Sequence, residues 1–175
     1  IEVFDNYKSL IENANVDIVF ISLPNKFAAN ATMLSLKKGL HVFCEKPPAK
    51  TLAELAEVFF VSQQYPYLKL MYGFNHRYHH SVQEALEIVR SGRLGKLINL
   101  RGVYGKSKLV TFNQTDWRIK REIAGGGVLL DQGIHMVDLM RLFGGNFTEV
   151  HSFISNRHWG YDVEDNAYAL MKTED

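Results

Sequence analysis

The stretch VDIVFISLPNKFAANATMLSLKKGLHVFCE, residues 16–45, decides the fold. Its opening, VDIVFISLP (16–24), is a β-branched and aromatic run ended by Pro24, which predicts a strand buried on both faces. NATMLSLKKG (30–39) follows with apolar spacing suited to a helix, and Gly39 stands where a C-terminal cap belongs. LHVFCE (40–45) reads as a second short buried strand. Strand, helix and strand in so short a stretch make a βαβ unit, hence a parallel pair with a right-handed crossover.

Working outward, TLAELAEVFFVSQQ (51–64) opens with Thr51 and Glu54 in capping-box spacing and continues as an amphipathic helix. LKLMYGFN (68–75) returns as a strand, and HHSVQEALEIVRSG (79–92) is a helix with Gly92 as its stop signal. The pattern then changes. KLINLRGVYGKS (96–107), TEVHSFISNRHWG (148–160) and DNAYALMKTED (165–175) read as longer strands with polar alternation, separated by one glycine-led helix near residues 128–143. Strands grouped without alternating helices predict an α+β layer with an antiparallel sheet. The fold class is therefore α/β plus α+β, with domains at 1–76 and 77–175.

The bulk numbers bound the function. The chain has 175 residues, 46% hydrophobic and 22% charged, as expected of a globular protein. Twenty Lys plus Arg against 19 Asp plus Glu leave a net charge of +1, which gives no electrostatic reason to expect nucleic acid or an anionic membrane as partner. Cys44 is the sole cysteine, so an internal disulfide is excluded and a reducing compartment fits. No apolar run approaches the ~20 residues of a membrane span. IEVFDNYKSL (1–10) lacks the basic and apolar blocks of a secretion signal, so a cytoplasmic location is expected. Both ends fall abruptly against strand-like segments, and the expectation is a piece of a longer protein.

Two constellations carry chemistry. Glu45, Lys46 and Pro47 follow a parallel strand, at the edge where open α/β sheets bind their ligands. A lysine there can present a positive charge or a hydrogen bond to a reacting oxygen. Lys46–Pro47 is a candidate cis bond. The alternative is a surface Glu–Lys pair before a turn. The second constellation is GGGVLLDQGIHMVDL (125–139), in which Asp131 and His135 share a helix face and Asp138 lies close to it. The helix start favours ionised Asp131, and a neighbouring carboxylate against burial poises His135 near neutrality, as a general base requires. Gly133 costs roughly 1 kcal/mol against alanine inside a helix, which a close approach by ligand or backbone would explain. A solvated polar face or a metal site are the alternatives. Against metal, no His or Cys cluster supplies further ligands; His76, His79 and His80 read as exposed at a helix start.

With both stretches in view, the chain resembles the Gfo/Idh/MocA family. VDIVFISLPN, GLHVFCEKPPAKT, GFNHRY, SGRLGKL, GGGVLLDQGIHMVDL and VEDNAYALM follow one another in that family's order and spacing, over essentially the whole chain. The resemblance implies a partial Rossmann parallel sheet, followed by a C-terminal domain with an open, mainly antiparallel sheet. It implies an NAD- or NADP-dependent oxidoreductase acting on a carbohydrate, cyclitol or nucleotide-sugar hydroxyl. Lys46, Asp131 and His135 take the catalytic positions. Leu23, Pro24, Asn25, Glu45 and Lys46 take the cofactor positions, and Arg77, Trp117, Arg118 and Asp165 the substrate positions, with no metal. Arg118, Lys120 and Arg121 are candidates for meeting the phosphate of a nucleotide sugar. A homo-oligomer formed through the C-terminal sheet is also implied.

Two departures stand out. The family's G-x-G-x-x-G phosphate loop is absent, and it belongs further upstream of Lys46 than the 45 residues that precede it here. The family's frequent histidine after the Pro-Asn turn is Ala28. Two rival readings remain: a non-catalytic ligand sensor on the same fold, and a metal-dependent lyase or hydrolase.

Overall fold

The computed structural model describes residues 1–105 and 116–174. They form two compact units, 1–73 with 120–125 and 74–119 with 126–175. The return of Lys120–Gly125 to the first unit is a feature that a single division at residue 76 does not contain.

In the first unit α1 (Tyr7–Asn13) precedes β1 (Ile18–Ile21), α2 (Asn25–Lys37), β2 (His41–Cys44), α3 (Leu52–Gln64) and β3 (Leu70–Tyr72). The three strands are parallel in the order β1-β2-β3, with Ile18 opposite His41 and Val42 opposite Leu70. The parallel βαβ reading therefore holds. Helix α2 starts at Asn25, directly after Pro24, earlier than the apolar spacing suggested. Pro24 has φ −55°, which already matches the helical value and lets the helix begin at once. Gly39 ends it with φ +88°, a conformation that costs glycine nothing.

Thr51 Oγ1 accepts the Glu54 N–H at 3.2 Å, while the Glu54 carboxylate reaches back to the Lys50 N–H at 2.9 Å. This is the capping box with its return bond moved one residue upstream. The Lys46–Pro47 bond is cis.

Burial on both faces of β1 is not observed. Val19, Ile21, Val42 and Cys44 point into a core shared with Ile11, Ala28, Ala31 and Leu36. Ile18 and Phe20, on the other face, are 46% and 72% exposed. The pleat sends alternate side chains to opposite faces, and the helices of this unit cover one of them. Ala28 is buried at the α2–sheet interface, where a histidine would meet packed core.

In the second unit a short 3₁₀ turn (Asn75–Tyr78) leads into α4 (His80–Arg90). A second 3₁₀ turn spans Trp117–Ile119. A π-type turn (Leu129–Gly133) opens α6 (Ile134–Gly144), which is followed by β4 (Phe147–Ser155) and β5 (Asn166–Thr173), an antiparallel pair. The label α5 belongs to Arg121–Ala124 of the first unit.

The expected strand at 96–107 is not found within 96–105, and residues 106 and 107 lie outside the described residues. Its alternation is real, but a strand exists only against a partner. Gly102 instead lies against α6, where an added Cβ would sit 2.4 Å from Met136 Sδ. β4 stops at Ser155, short of residue 160, because Asp165 folds the following turn back. Asp175 lies outside the described residues.

Cys44 is fully buried, and that burial pushes its thiol up to about 11 from an ordinary 9.0. A raised folded-state value means that the unfolded thiol ionises first as pH climbs. Stability from this group is thus whole below pH 9 and is lost between 9 and about 11. Iodoacetamide at pH 8 should leave Cys44 unmodified in the native protein and alkylate it fully in urea, read by mass spectrometry.

Candidate functional site

In the first unit three strand ends meet at one edge. After β1 come Leu23, Pro24 and Asn25; after β2, Glu45 and Lys46; after β3, Gly73. Parallel register aligns these C-terminal ends, since Glu45 N–H donates to Ile21 O at 2.9 Å and Gly73 N–H to Cys44 O at 2.8 Å. The Glu45 carboxylate lies over Gly73 and uses the missing side chain: a Cβ there would be 2.7 Å from Oε2.

Lys46 is half-buried beside it. Leu23 packs on the core. Asn25 is buried and its amide donates to Ala124 O at 2.8 Å, tying the Lys120–Gly125 segment to the start of α2. Gly125 has φ +84°, and a Cβ on it would lie 2.5 Å from Lys50 O.

In the second unit the site is built on α6. His135 is 6% exposed. The His76 ring stacks on it with centroids 4.0 Å apart and planes 15° from parallel, and Phe74 meets it edge-on at 6.4 Å. His76 therefore departs from the exposed histidine expected, while His79 and His80 are exposed.

Arg77 Nε and Nη2 donate to Asp138 at 2.7 and 2.5 Å. That pairing holds the Arg77 guanidinium above its ordinary range. Arg77 is thus largely committed within the protein, and Asp138 acquires a role beyond a solvated face. Asp131, half-buried in the π-type turn, accepts from Gln132 Nε2 at 2.8 Å. π-type turns inside helices recur at functional sites.

The remaining substrate candidates are placed as follows. Arg118 lies over the Trp117 ring, 4.5 Å from its centroid, and pairs with Asp116 at 3.3 Å. Asp165 accepts the backbone N–H groups of Arg157, His158 and Trp159 at 2.6–3.1 Å. The Arg157 N–H leads these donors in holding its carboxyl below the usual range. That carboxylate shapes the turn before β5.

A cavity of about 730 Å³ lies against Val128, Gly133, Met136, Val137 and Met140 on one side and β5 on the other. Asp131, His135 and Asp138 are not among the residues that line it. Its walls are chiefly apolar, with Tyr104, His151 and the substrate candidate Asp165 as titratable groups among them. Among the described residues no group of three or more His, Cys, Asp or Glu is placed to hold a metal ion. No described helix is long and apolar enough to cross a membrane.

Sequence reasoning missed Glu164. It is buried, its Oε1 accepts Gly127 N–H at 2.7 Å and its carbonyl accepts Val128 N–H at 2.9 Å. It thereby satisfies donors at the start of a helix whose own glycines offer no capping side chain. The available signal was that lack, together with a carboxylate in the apolar setting of Val163. At Gly133 an added Cβ would meet Leu129 Cδ1 at 2.8 Å, so the glycine also makes room for a side chain of its own helix.

Comparison with known proteins places these two units. A model of an oxidoreductase family with an NAD-binding Rossmann fold matches residues 1–70, and the GFO/IDH/MocA C-terminal domain model matches residues 82–175. Levoglucosan dehydrogenase from Pseudarthrobacter phenanthrenivorans is 28% identical over 86% of this chain, and D-glucoside 3-dehydrogenase from Escherichia coli is 33% identical over 78%. The chain spans 38% of the length of each. A solved structure of levoglucosan dehydrogenase in complex with NADH and levoglucosan matches with a TM-score of 0.88 at 26% identity, covering 96% of this chain and 47% of that one.

The Gly127 contact yields a stability prediction. A Cβ at Gly127 would lie 2.0 Å from Glu164 O, against 3.2 Å from Leu130 Cβ at Gly126. Gly127→Ala should cost about 3 kcal/mol or more in urea unfolding, and Gly126→Ala clearly less.

Proposed function

Because the chain belongs to the Gfo/Idh/MocA oxidoreductase family, we propose that the protein transfers a hydride between NAD or NADP and a carbohydrate, cyclitol or nucleotide-sugar hydroxyl. What carries this reading is a buried imidazole with a fixed ring plane at His135, in a chain whose parallel strand ends present Glu45 and Lys46. The strand-end set fits the nicotinamide end of a dinucleotide. Leu23, Pro24 and Asn25 form one wall, and the glycine at 73 leaves room for the Glu45 carboxylate beside Lys46. When bound, the nicotinamide supplies the hydride acceptor or donor.

The chain's own residues supply the rest. His135 takes the proton from the substrate hydroxyl. Asp131 orients the imidazole and stabilises its positive charge. Lys46 stabilises the oxygen as negative charge develops on it, where a preorganised cation outperforms water. Trp117 with Arg118 above it forms a flat cationic platform suited to a sugar face. Arg77 and Asp165 contribute to the substrate side by fixing the backbone around it. A cytoplasmic location and self-association through β4 and β5 complete the proposal; Phe153, Tyr168 and Leu170, 71–81% exposed, support the latter.

Lys46→Met and His135→Asn should each lower kcat about 10²- to 10³-fold with the protein still folded, assayed by nicotinamide absorbance against a sugar panel. Undiminished turnover in either variant removes that residue from the mechanism.

A further inference from the structure

The 3₁₀ turn at Asn75–Tyr78 is fastened to α6 at two adjacent points. One is the His76–His135 stack at 4.0 Å. The other is the two-pronged pairing of Arg77 with Asp138, three residues beyond His135. The ion pair sets the turn in place, and the turn presents the His76 ring flat against the buried imidazole. On its other sides His76 meets the His79 ring at 5.2 Å and the Tyr104 ring at 5.9 Å. Stacking that is nearly parallel fixes a ring plane in a way that a lone hydrogen bond does not.

The stack has an electrostatic consequence. Two imidazolium charges 4.0 Å apart would repel strongly even at an effective dielectric of about 20. The pair therefore takes up its protons in two separated steps, and the values belong to the pair. The charged and titratable groups on the elements packed here are Asp131 of the π-type turn, Asp138 and Arg141 of α6, Arg77, Tyr78, His79 and His80 of the 74–80 segment, Glu84, Glu87 and Arg90 of α4, and Tyr104. The carboxylates favour a proton on the pair, and the deeper burial of His135 against the half-buried His76 directs the first one to His76. Arg77, itself neutralised in part by Asp138, and the second imidazole oppose the next.

We propose that His76 is a positioning residue for His135: it holds the plane of that ring and, by carrying the pair's first proton, preserves the proton-accepting form of His135 at mildly acid pH. This rests on the reading of His135 as the general base.

Two variants separate the parts. His76→Phe keeps a stacking ring and removes the competing charge; His76→Ala removes both. Imidazole titration by NMR on the ligand-free protein, with the His135 signal assigned by its loss in His135→Asn, reads the coupling without activity. His135 should titrate in two steps in the parent and in one step in His76→Phe, at a value higher by about half a unit or more. The acid limb of kcat/KM should move up with it. His76→Ala should lower kcat about tenfold or more with KM changed less than twofold. Identical His135 titration in the parent and in His76→Phe overturns the inference, as does an unchanged kcat in His76→Ala. A shifted titration alongside full turnover in His135→Asn instead overturns the reading of His135 as base. Thermal unfolding of all three variants identifies any loss that is merely structural.

Discussion

The pairing of Arg77 with Asp138 is the contact on which the second unit's candidate site depends. Asp138 has a side chain 10% exposed and Arg77 one 35% exposed, so the pair is desolvated on the carboxylate side. A fully exposed pair contributes about 1 kcal/mol at most, and a buried one left half-broken costs about 3–5 kcal/mol. This pair lies between those limits. Its geometric effect is larger than its energy: two parallel N–H···O bonds fix the guanidinium's plane, and with it the backbone of the 3₁₀ turn. Phe74 and His76 flank His135 because that turn is held. The helix end at the other side is held by Glu164, which bonds the N–H of Gly127 by its side chain and that of Val128 by its carbonyl. His135 thus sits in a segment pinned at both ends, which suits the proton-accepting role proposed for it.

The first unit obeys a different constraint. Parallel pairing of β1, β2 and β3 gives all three strands the same direction, so residues following each strand collect at one edge. Glu45, Lys46, Asn25 and Gly73 owe their neighbourhood to that register rather than to sequence proximity. The core beneath them is small and apolar, with Cys44 and Val42 on its inner face. The opposite face of the sheet, carrying Phe20, is open in this unit.

What was legible in the sequence was local or periodic. The βαβ unit, the Gly39 cap and the Thr51–Glu54 cap depend on neighbours a few residues away. The Lys46 and His135 stretches stood out because unusual residue types stand there at motif spacing. The missed features depend on distant pairing. His76 looked exposed because nothing in HRYHH announces a ring 59 positions later. Glu164 received no reading of its own, and its partner is 37 positions away. The error at 96–105 has the same origin, since alternation records a propensity while a ladder needs a second strand. The two-faced burial assigned to β1 failed because an apolar run does not state how many layers cover it.

The central claim is that this protein moves a hydride between a sugar carbon and nicotinamide. The most direct measurement incubates the protein with NAD or NADP and sugar alcohols deuterated at the reacting carbon, then locates the label by mass spectrometry. The account predicts deuterium on the nicotinamide ring, with a primary isotope effect on the single-turnover rate. Conversion of the sugar with no deuterium in the cofactor would contradict it.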